Sequence, residues 1–457
     1  MRNRLIISSA FILILFISNI YAQNWPQFLG PNRDSKSTQK NILRSWPESG
    51  PEVIWSVELG IGYGGPVARD GKVYLLDRND EVGDIMRCFD LNSGEELWSF
   101  CYDAPGSVMF PGSRSVPNLD GNYIYSCGPY GDLYCFNIHS HEPVWNKNIW
   151  TGFGGDPGNS SEDLGGFGGH GNFPIWAISQ CPLVYGDLLI VASQAPESGV
   201  VAYNKITGEL VWKTPNLGNE TYVSPAIVKI DGDDHVVMVT SSTNPIGRPE
   251  LPKTPGNIVG IDPLSGQVLW KFSEWDCHIS VPCAVDAGNN KVLVVGGYEL
   301  GALMIEVMRM EDGTYRTTEF FRTEEFGDQT KPPLFIDGYF YAQFGTNNKR
   351  DGLTCMNMDG EIMWKTKRDP DFNKGSMIYA DSLILATDGA KKLYLIKPDP
   401  SQFKPLASAE LLTAASAEND RRAARFGTQN WAPIALADGK LLIRDQRRMM
   451  CVRVAEQ

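Results

Sequence analysis

The chain has 457 residues, with 41 Lys and Arg against 54 Asp and Glu, and so carries a formal charge of -13. An acidic chain without blocks of Lys or Arg excludes the usual electrostatic grip on nucleic acid or on anionic membranes. Its nine cysteines include no CxxC and no adjacent pair, and their odd number leaves at least one thiol unpaired.

Residues 1–22 begin with Arg2 and Arg4, run apolar from Leu5 to Ile17 and end on Ile20, Tyr21 and Ala22. A basic head, a short apolar core and a small residue at the cut make a secretory leader cleaved after Ala22. The apolar run is too short to span a bilayer, and no later segment is long enough. No cysteine follows it to carry a lipid. The expectation is an exported protein, periplasmic or secreted, with no membrane anchor and a mature charge of about -15.

Residues 23–52 are rich in Pro, Gly, Asn and Ser and read as an irregular arm over the surface. Val53 to Leu59 then alternates like a strand and carries Trp55. From there one phrase recurs: CFDLNSGEELW ending at Trp98, CFNIHSHEPVW at Trp145, AYNKITGELVW at Trp212, GIDPLSGQVLW at Trp270 and the shorter CMNMDGEIMW at Trp364. Each is a strand, a tight turn and a strand ending on tryptophan, and repetition at a few tens of residues marks a propeller or array. Units begin near Pro66, Pro117, Pro182, Pro225, Pro282, Pro333, Ser376 and Pro433, with hairpin turns such as Asp70-Gly71, Asp231-Gly232 and Asp438-Gly439. The last unit stops one strand short, and Val53–Leu59 has no blade of its own. Docking it beside Cys451 closes the ring and removes a sheet edge. The expected fold is therefore all-β, an eight-bladed propeller over residues 53–457. Seven blades is the alternative if the degenerate unit at Lys374–Leu412 is not a blade.

The phrase A-x-D-x-x-T-G-x-x-x-W resembles the tryptophan-docking motif of the PQQ-type eight-bladed propellers. That superfamily includes quinoprotein alcohol dehydrogenases and a lipoprotein of outer-membrane protein assembly. The runs NWPQFLGPNRD and SGPEVIWSVELGIGYGGP resemble a secreted branch of PQQ-like propellers, and the resemblance covers nearly the whole mature chain. It implies the fold, with Trp55, Trp98, Trp145, Trp212, Trp270 and Trp364 buried between blades and each indole N–H on a carbonyl. It implies little about activity, because one fold hosts unrelated functions. Cys88, Cys135 and Cys355 share the first position of the phrase and read as small packing residues.

In such a ring the innermost strands start at one mouth of the central channel, so the residues before each first strand converge there. They are Tyr63, Arg114, Trp176 with Gln180, Tyr222, His278, Lys331, Lys374, and Gln429, Asn430 and Trp431. A concave site lined by aromatics with a few polar groups is the default ligand pocket. Aromatic rings suit sugar faces, and Arg114, Lys331 and Lys374 suit a uronate carboxylate. Neutralising that carboxylate acidifies the adjacent C–H, so a base can drive elimination, as in a polysaccharide lyase or a dehydratase. The expected roles are Tyr222 or His278 as base, His170 as acid, Arg114 and Lys331 as clamp, and Tyr63, Trp176, Lys374, Gln429 and Trp431 as substrate-binding residues. The scheme needs no cofactor or metal, and its partner is an acidic carbohydrate.

Two other readings stand beside it. A quinoprotein dehydrogenase would use PQQ and calcium. The resemblance then implies adjacent cysteines, which are absent, and an acidic set, whereas Glu220, Asp276 and Asp328 are scattered. A non-enzymatic assembly scaffold is the other. The long glycine-rich insertion Thr151–Gly171 reads as a lid or binding loop, and Asp156, Glu162 and Asp163 within it fit no calcium loop. A second insertion, Ser241–Gly256, is expected to cap a rim. His139 and His141 read as an exposed turn, and His235 as a solvent-facing residue in another outer turn.

Overall fold

The computed structural model describes residues 23–108, 110–156, 173–174, 176–219, 221–243, 254–344, 350–414 and 427–456. His170, Glu162, Asp163, Glu220, the leader and most of both long insertions lie outside these residues.

Among the described residues there are eight sheets, each built on four antiparallel strands. They cover 67–103, 118–148, 183–213, 226–275, 285–323, 334–365 and 377–410, and the eighth combines 435–453 with Val53–Glu58. We number these blades 1 to 8. Within a blade the strands follow chain order from axis to rim. The degenerate unit is a full blade, blade 7. In blade 8 the rim strand is Val53–Glu58, which pairs antiparallel with Arg448–Arg453 and sets Trp55 opposite Cys451.

The sequence pattern along each blade follows from what covers it. Middle strands lie between two neighbouring blades, so both faces are dry and the run is continuously apolar, as in Leu188–Val191. Rim strands face solvent on one side and alternate, as in Val53–Glu58.

The repeated phrase joins each blade to the next. A Cβ on Gly94, Gly208 or Gly266 would lie 2.5–2.7 Å from the rings of Trp55, Trp145 and Trp212 respectively. These glycines also hold φ of 71–74°, so the turn admits the neighbouring indole only when that position is glycine. Trp55, Trp145, Trp212 and Trp364 donate their indole N–H to the carbonyls of Leu91, Lys205, Pro263 and Asp399. Two tryptophans depart from the expected carbonyl. In blade 2 the glycine position is His141 (φ 64°), whose ring stacks on Trp98 at 4.7 Å, and Trp98 Nε1 is buried without an acceptor among the described residues. Trp270 Nε1 donates instead to His235 Nδ1 at 2.9 Å.

That bond corrects the expectation for His235. The turn is Asp231-Gly232, the strand starts at Asp233, and His235 already lies in the run His235–Val239 that is buried on both faces between neighbouring blades. Only 1% of it is exposed, and burial lowers its pKa below 6.5. Asp233, Asp234, Asp262 and Arg309 are the charged groups around it. A histidine kept neutral in the fold binds its proton more readily when unfolded, so its contribution is lost as pH falls below 6.5. His235→Leu is expected to cost about 1–3 kcal/mol by orphaning the Trp270 N–H. Denaturant unfolding should show that cost shrinking as the pH falls below that value.

The arm is also not a surface wrap. Trp25 exchanges both backbone hydrogen bonds with Ala68 of blade 1, at 2.8 and 2.9 Å. Leu119 N of blade 2 donates to Pro26 O, and Arg33 donates to Pro182 O and Pro225 O at the starts of blades 3 and 4. Lys36–Ser37 then adds a parallel strand to the axial edge of blade 7, and Asp438 N of blade 8 donates to Gln23 O. Trp25, Phe28 and Leu29 are buried; their apolar area, rather than the Pro/Gly content around them, decides where the segment goes. The arm thus crosses the axis at the end away from the mouth.

All nine cysteines are free thiols and only Cys101 is exposed. Among the described residues no helix is long and apolar enough to cross a membrane.

Candidate functional site

The loops that enter each innermost strand meet around Trp431. Its ring lies 5.6 Å from Tyr63 and 6.0 Å from Phe110. Lys374 Nζ sits 4.5 Å above the ring, and Lys331 Nζ donates to the Trp431 carbonyl at 2.7 Å. Tyr63 Oη donates to Gln429 Oε1 at 2.7 Å and accepts from Gln446 Nε2 at 3.0 Å. The ring continues through Arg114, whose guanidinium donates to Phe110 O and feels both Tyr63 and Tyr222 electrostatically. Tyr222 Oη accepts the Trp176 backbone N–H at 3.4 Å, with the two rings 5.3 Å apart.

Seven of the residues expected at the mouth besides Tyr63 are therefore connected to it: Arg114, Trp176, Tyr222, Lys331, Lys374, Gln429 and Trp431. His278 stands against Tyr298, 4.8 Å away, on the entry to blade 5. That segment touches Tyr222 through Ser280, whose carbonyl accepts the Tyr222 N–H at 3.0 Å. Gln180 is buried between blades 2 and 3, where its side chain meets the Cys127 thiol. Asn430 is held by carbonyls of neighbouring loops and acts in the scaffold.

The electrostatics of the mouth are set by burial. Arg114 falls to about 10, Lys331 to about 8 and Lys374 to about 8, each chiefly because burial penalises the charged form. Asp328 pulls both lysines the other way, and its own carboxyl is pushed up to about 6 by burial. Both its oxygens are occupied by backbone N–H groups, those of Thr330, Lys331 and Gln343. Asp328 therefore shapes the Lys331 loop more than it faces a ligand.

Some residues of the site give no signal in the sequence. Phe110 belongs to no first strand, yet closes the flank of Trp431 with a left-handed backbone (φ 62°). Tyr298 holds φ 56° beside His278. Bulky residues in this region cost about 1–3 kcal/mol and concentrate at functional sites. A cavity of about 840 Å³ opens beside Lys374 and Trp431 and runs between blades 6 and 7. Among the described residues no group of three or more His, Cys, Asp or Glu is arranged to hold a metal.

The fold defines the class: this is an eight-bladed propeller that resembles the PQQ-like propellers. Residues 81–302 match the family described as outer membrane protein assembly factor BamB. Three solved structures share the architecture. BamB from Moraxella catarrhalis matches at 11% identity and TM-score 0.54 over 88% of this chain and all of its own. Quinohemoprotein alcohol dehydrogenase from Comamonas testosteroni matches at 11% and 0.58 over 95% of this chain and 81% of that one. A europium-containing methanol dehydrogenase matches at 11% and 0.56 over 92% and 89%. At such identities the likeness is one of fold. No curated protein matches the chain.

Proposed function

We propose that the mouth binds a ring-bearing carboxylate, an acidic sugar, and that the protein acts on it by elimination. The observation that supports this most is the setting of Trp431: an aromatic face with Lys374 above it, Lys331 on its carbonyl and Tyr63 and Phe110 at its flank. A sugar ring is matched by the aromatic face and its carboxylate by the cations. Arg114 couples electrostatically to Tyr222 at the mouth, and Tyr222 is assigned as the base. With the carboxylate clamped, the tyrosinate takes the proton from the adjacent carbon. The C–H pair becomes a C=C bond, the C–O bond beyond it breaks, and the departing oxygen takes a proton. His170, outside the described residues, is the acid the sequence offers for that last step.

The comparisons speak for the fold of quinoprotein dehydrogenases and of an assembly factor, and elimination rests on the side chains alone. A planar, carboxylate-bearing quinone would suit Trp431 and its cations. Its calcium does not fit: the described residues provide no cluster of acids, and the Asp328 carboxylate is taken by backbone donors. We therefore derive no step through that cofactor.

The test is mass spectrometry of uronate oligosaccharides incubated with mature protein and no added cofactor. Loss of water, or cleavage to an unsaturated uronate, is expected. Binding by calorimetry with no mass change would leave a carbohydrate-binding propeller and remove the elimination. Dye reduction restored by PQQ and calcium would replace the reading with a dehydrogenase.

The lysines add a pH dependence. Both folded-state values lie near 8, so both side chains are charged at neutral pH and neutral in mild alkali. Affinity for a uronate should fall by about tenfold to a hundredfold as pH rises past that point. Lys374→Met should remove part of the drop, whereas an affinity flat across this range would exclude the lysines from the clamp.

A further inference from the structure

The cavity beside Trp431 has a character unlike the mouth. Its walls come from the connection between blades 6 and 7, with Arg368, Asp371 and Asn373, and from the hairpin of blade 7, with Asp388 and Lys392. Its volume, about 840 Å³, lies in the range that takes a drug-sized ligand. At the mouth Lys331 and Lys374 feel Asp328 and Arg114 feels Asp80, whereas here Arg350 is paired with Asp371 and the remaining charges nearly balance.

Three residues lining the cavity carry buried side-chain polar atoms with no hydrogen-bond partner among the described residues: Asp371 Oδ1, Asn373 Oδ1 and Trp431 Nε1. Buried atoms left this way cost about 1–3 kcal/mol each, and a native structure keeps them for a reason. Their senses are mixed, two acceptors and one donor. A second carboxylate would satisfy only the indole N–H and would oppose Asp371. A hydroxyl group donates and accepts, so a polyol satisfies all three.

We propose that this groove is a second sugar subsite that holds a neutral, hydroxyl-rich residue next to the acidic residue at the mouth. Resting on the reading above, it makes the ligand a mixed oligosaccharide whose acidic ring lies at Trp431 and whose neutral neighbour lies between blades 6 and 7. Trp431 belongs to both subsites, since its ring stands among the mouth residues and the residue also lines the groove.

Calorimetry with full-length mature protein tests this with four probes: glucuronic acid, glucuronic acid linked to a neutral hexose, a glucuronic acid dimer, and a neutral disaccharide. The mixed disaccharide should bind about tenfold or more tighter than the monosaccharide and tighter than the dimer. The double variant Arg368→Ala, Asn373→Ala should lose that gain while the monosaccharide binds as before, and its melting temperature reports whether it is folded. Equal affinity for mono- and disaccharide in the wild type, or preference for the acidic dimer, would overturn the subsite and leave the mouth intact. If no acid binds but the neutral disaccharide does, and the variant abolishes it, the groove stands and the mouth reading falls. Silence with all four overturns both.

Discussion

Arg78→Leu should destabilise the fold by about 3–5 kcal/mol. The guanidinium is fully buried at the top of blade 1, where Nη1 meets Asp84 Oδ1 and Nε meets Asp80 Oδ1, each at 3.0 Å. Nη2 donates to the carbonyls of Ala104 and Gly106 at 2.8 and 2.7 Å, so one cation ties down the connection to blade 2. Asp84 is as buried as its partner. Burial pushes its carboxyl up to about 6 and Arg78 pulls it down. Removing the arginine leaves that charge uncompensated among apolar strands, which is far worse than removing both members of the pair. Because the folded-state pKa lies above 3.8, Asp84 contributes less as pH rises from that value through about 6. In the variant the carboxyl rises further and stays protonated over a wider range. Unfolding in denaturant should therefore show a smaller loss near pH 5 than near pH 8. A loss below about 1 kcal/mol at the higher pH would mean that water reaches Asp84 and that the pair is not a dry one.

The ring of blades was legible because its joints are local in sequence and repeated. A turn glycine and a strand-end tryptophan recur at fixed spacing, and each must meet its counterpart in the next blade, as Trp55 meets Gly94 and Trp212 meets Gly266. The mouth was legible for a related reason: every innermost strand starts on the same side, so the preceding residues converge whatever they are. His235 was misplaced because the acidic residues just before it look like a turn, although the apolar run Val236–Val239 that follows it already marks a strand covered on both faces.

The arm is the opposite case. Arg33 finds its acceptors at Pro182 and Pro225, 149 and 192 residues away, and nothing near it in the chain announces them. Phe110 and the groove between blades 6 and 7 are likewise products of the closed ring. Positions set by long-range packing carry no local period, and the residues that hold a ligand are often of that kind. The arm lies across the axis and ties the starts of blades 3 and 4 together through Arg33.

Tyr222→Phe should lower the turnover of a uronate substrate by about 10²–10⁴-fold while changing its binding little. The substitution removes one oxygen. That oxygen accepts the Trp176 N–H and lies in the field of Arg114, two features that stabilise negative charge on it. The groups assigned to hold the carboxylate, Lys331 on the Trp431 carbonyl and Lys374 over its ring, are untouched. A base acts only in the transition state, so its loss falls on kcat, whereas Lys374→Met removes an interaction made with bound substrate as well and should raise KM. The two variants should thus part cleanly in steady-state kinetics. Turnover retained within about threefold in Tyr222→Phe would take the base away from that oxygen. His278 would then be the residue to replace, since it stands on the segment whose Ser280 carbonyl holds the Tyr222 backbone. Arg114 decides between the two: a tyrosinate needs the cation beside it, whereas a neutral histidine base does not. Arg114→Gln should therefore depress kcat only if Tyr222 is the base.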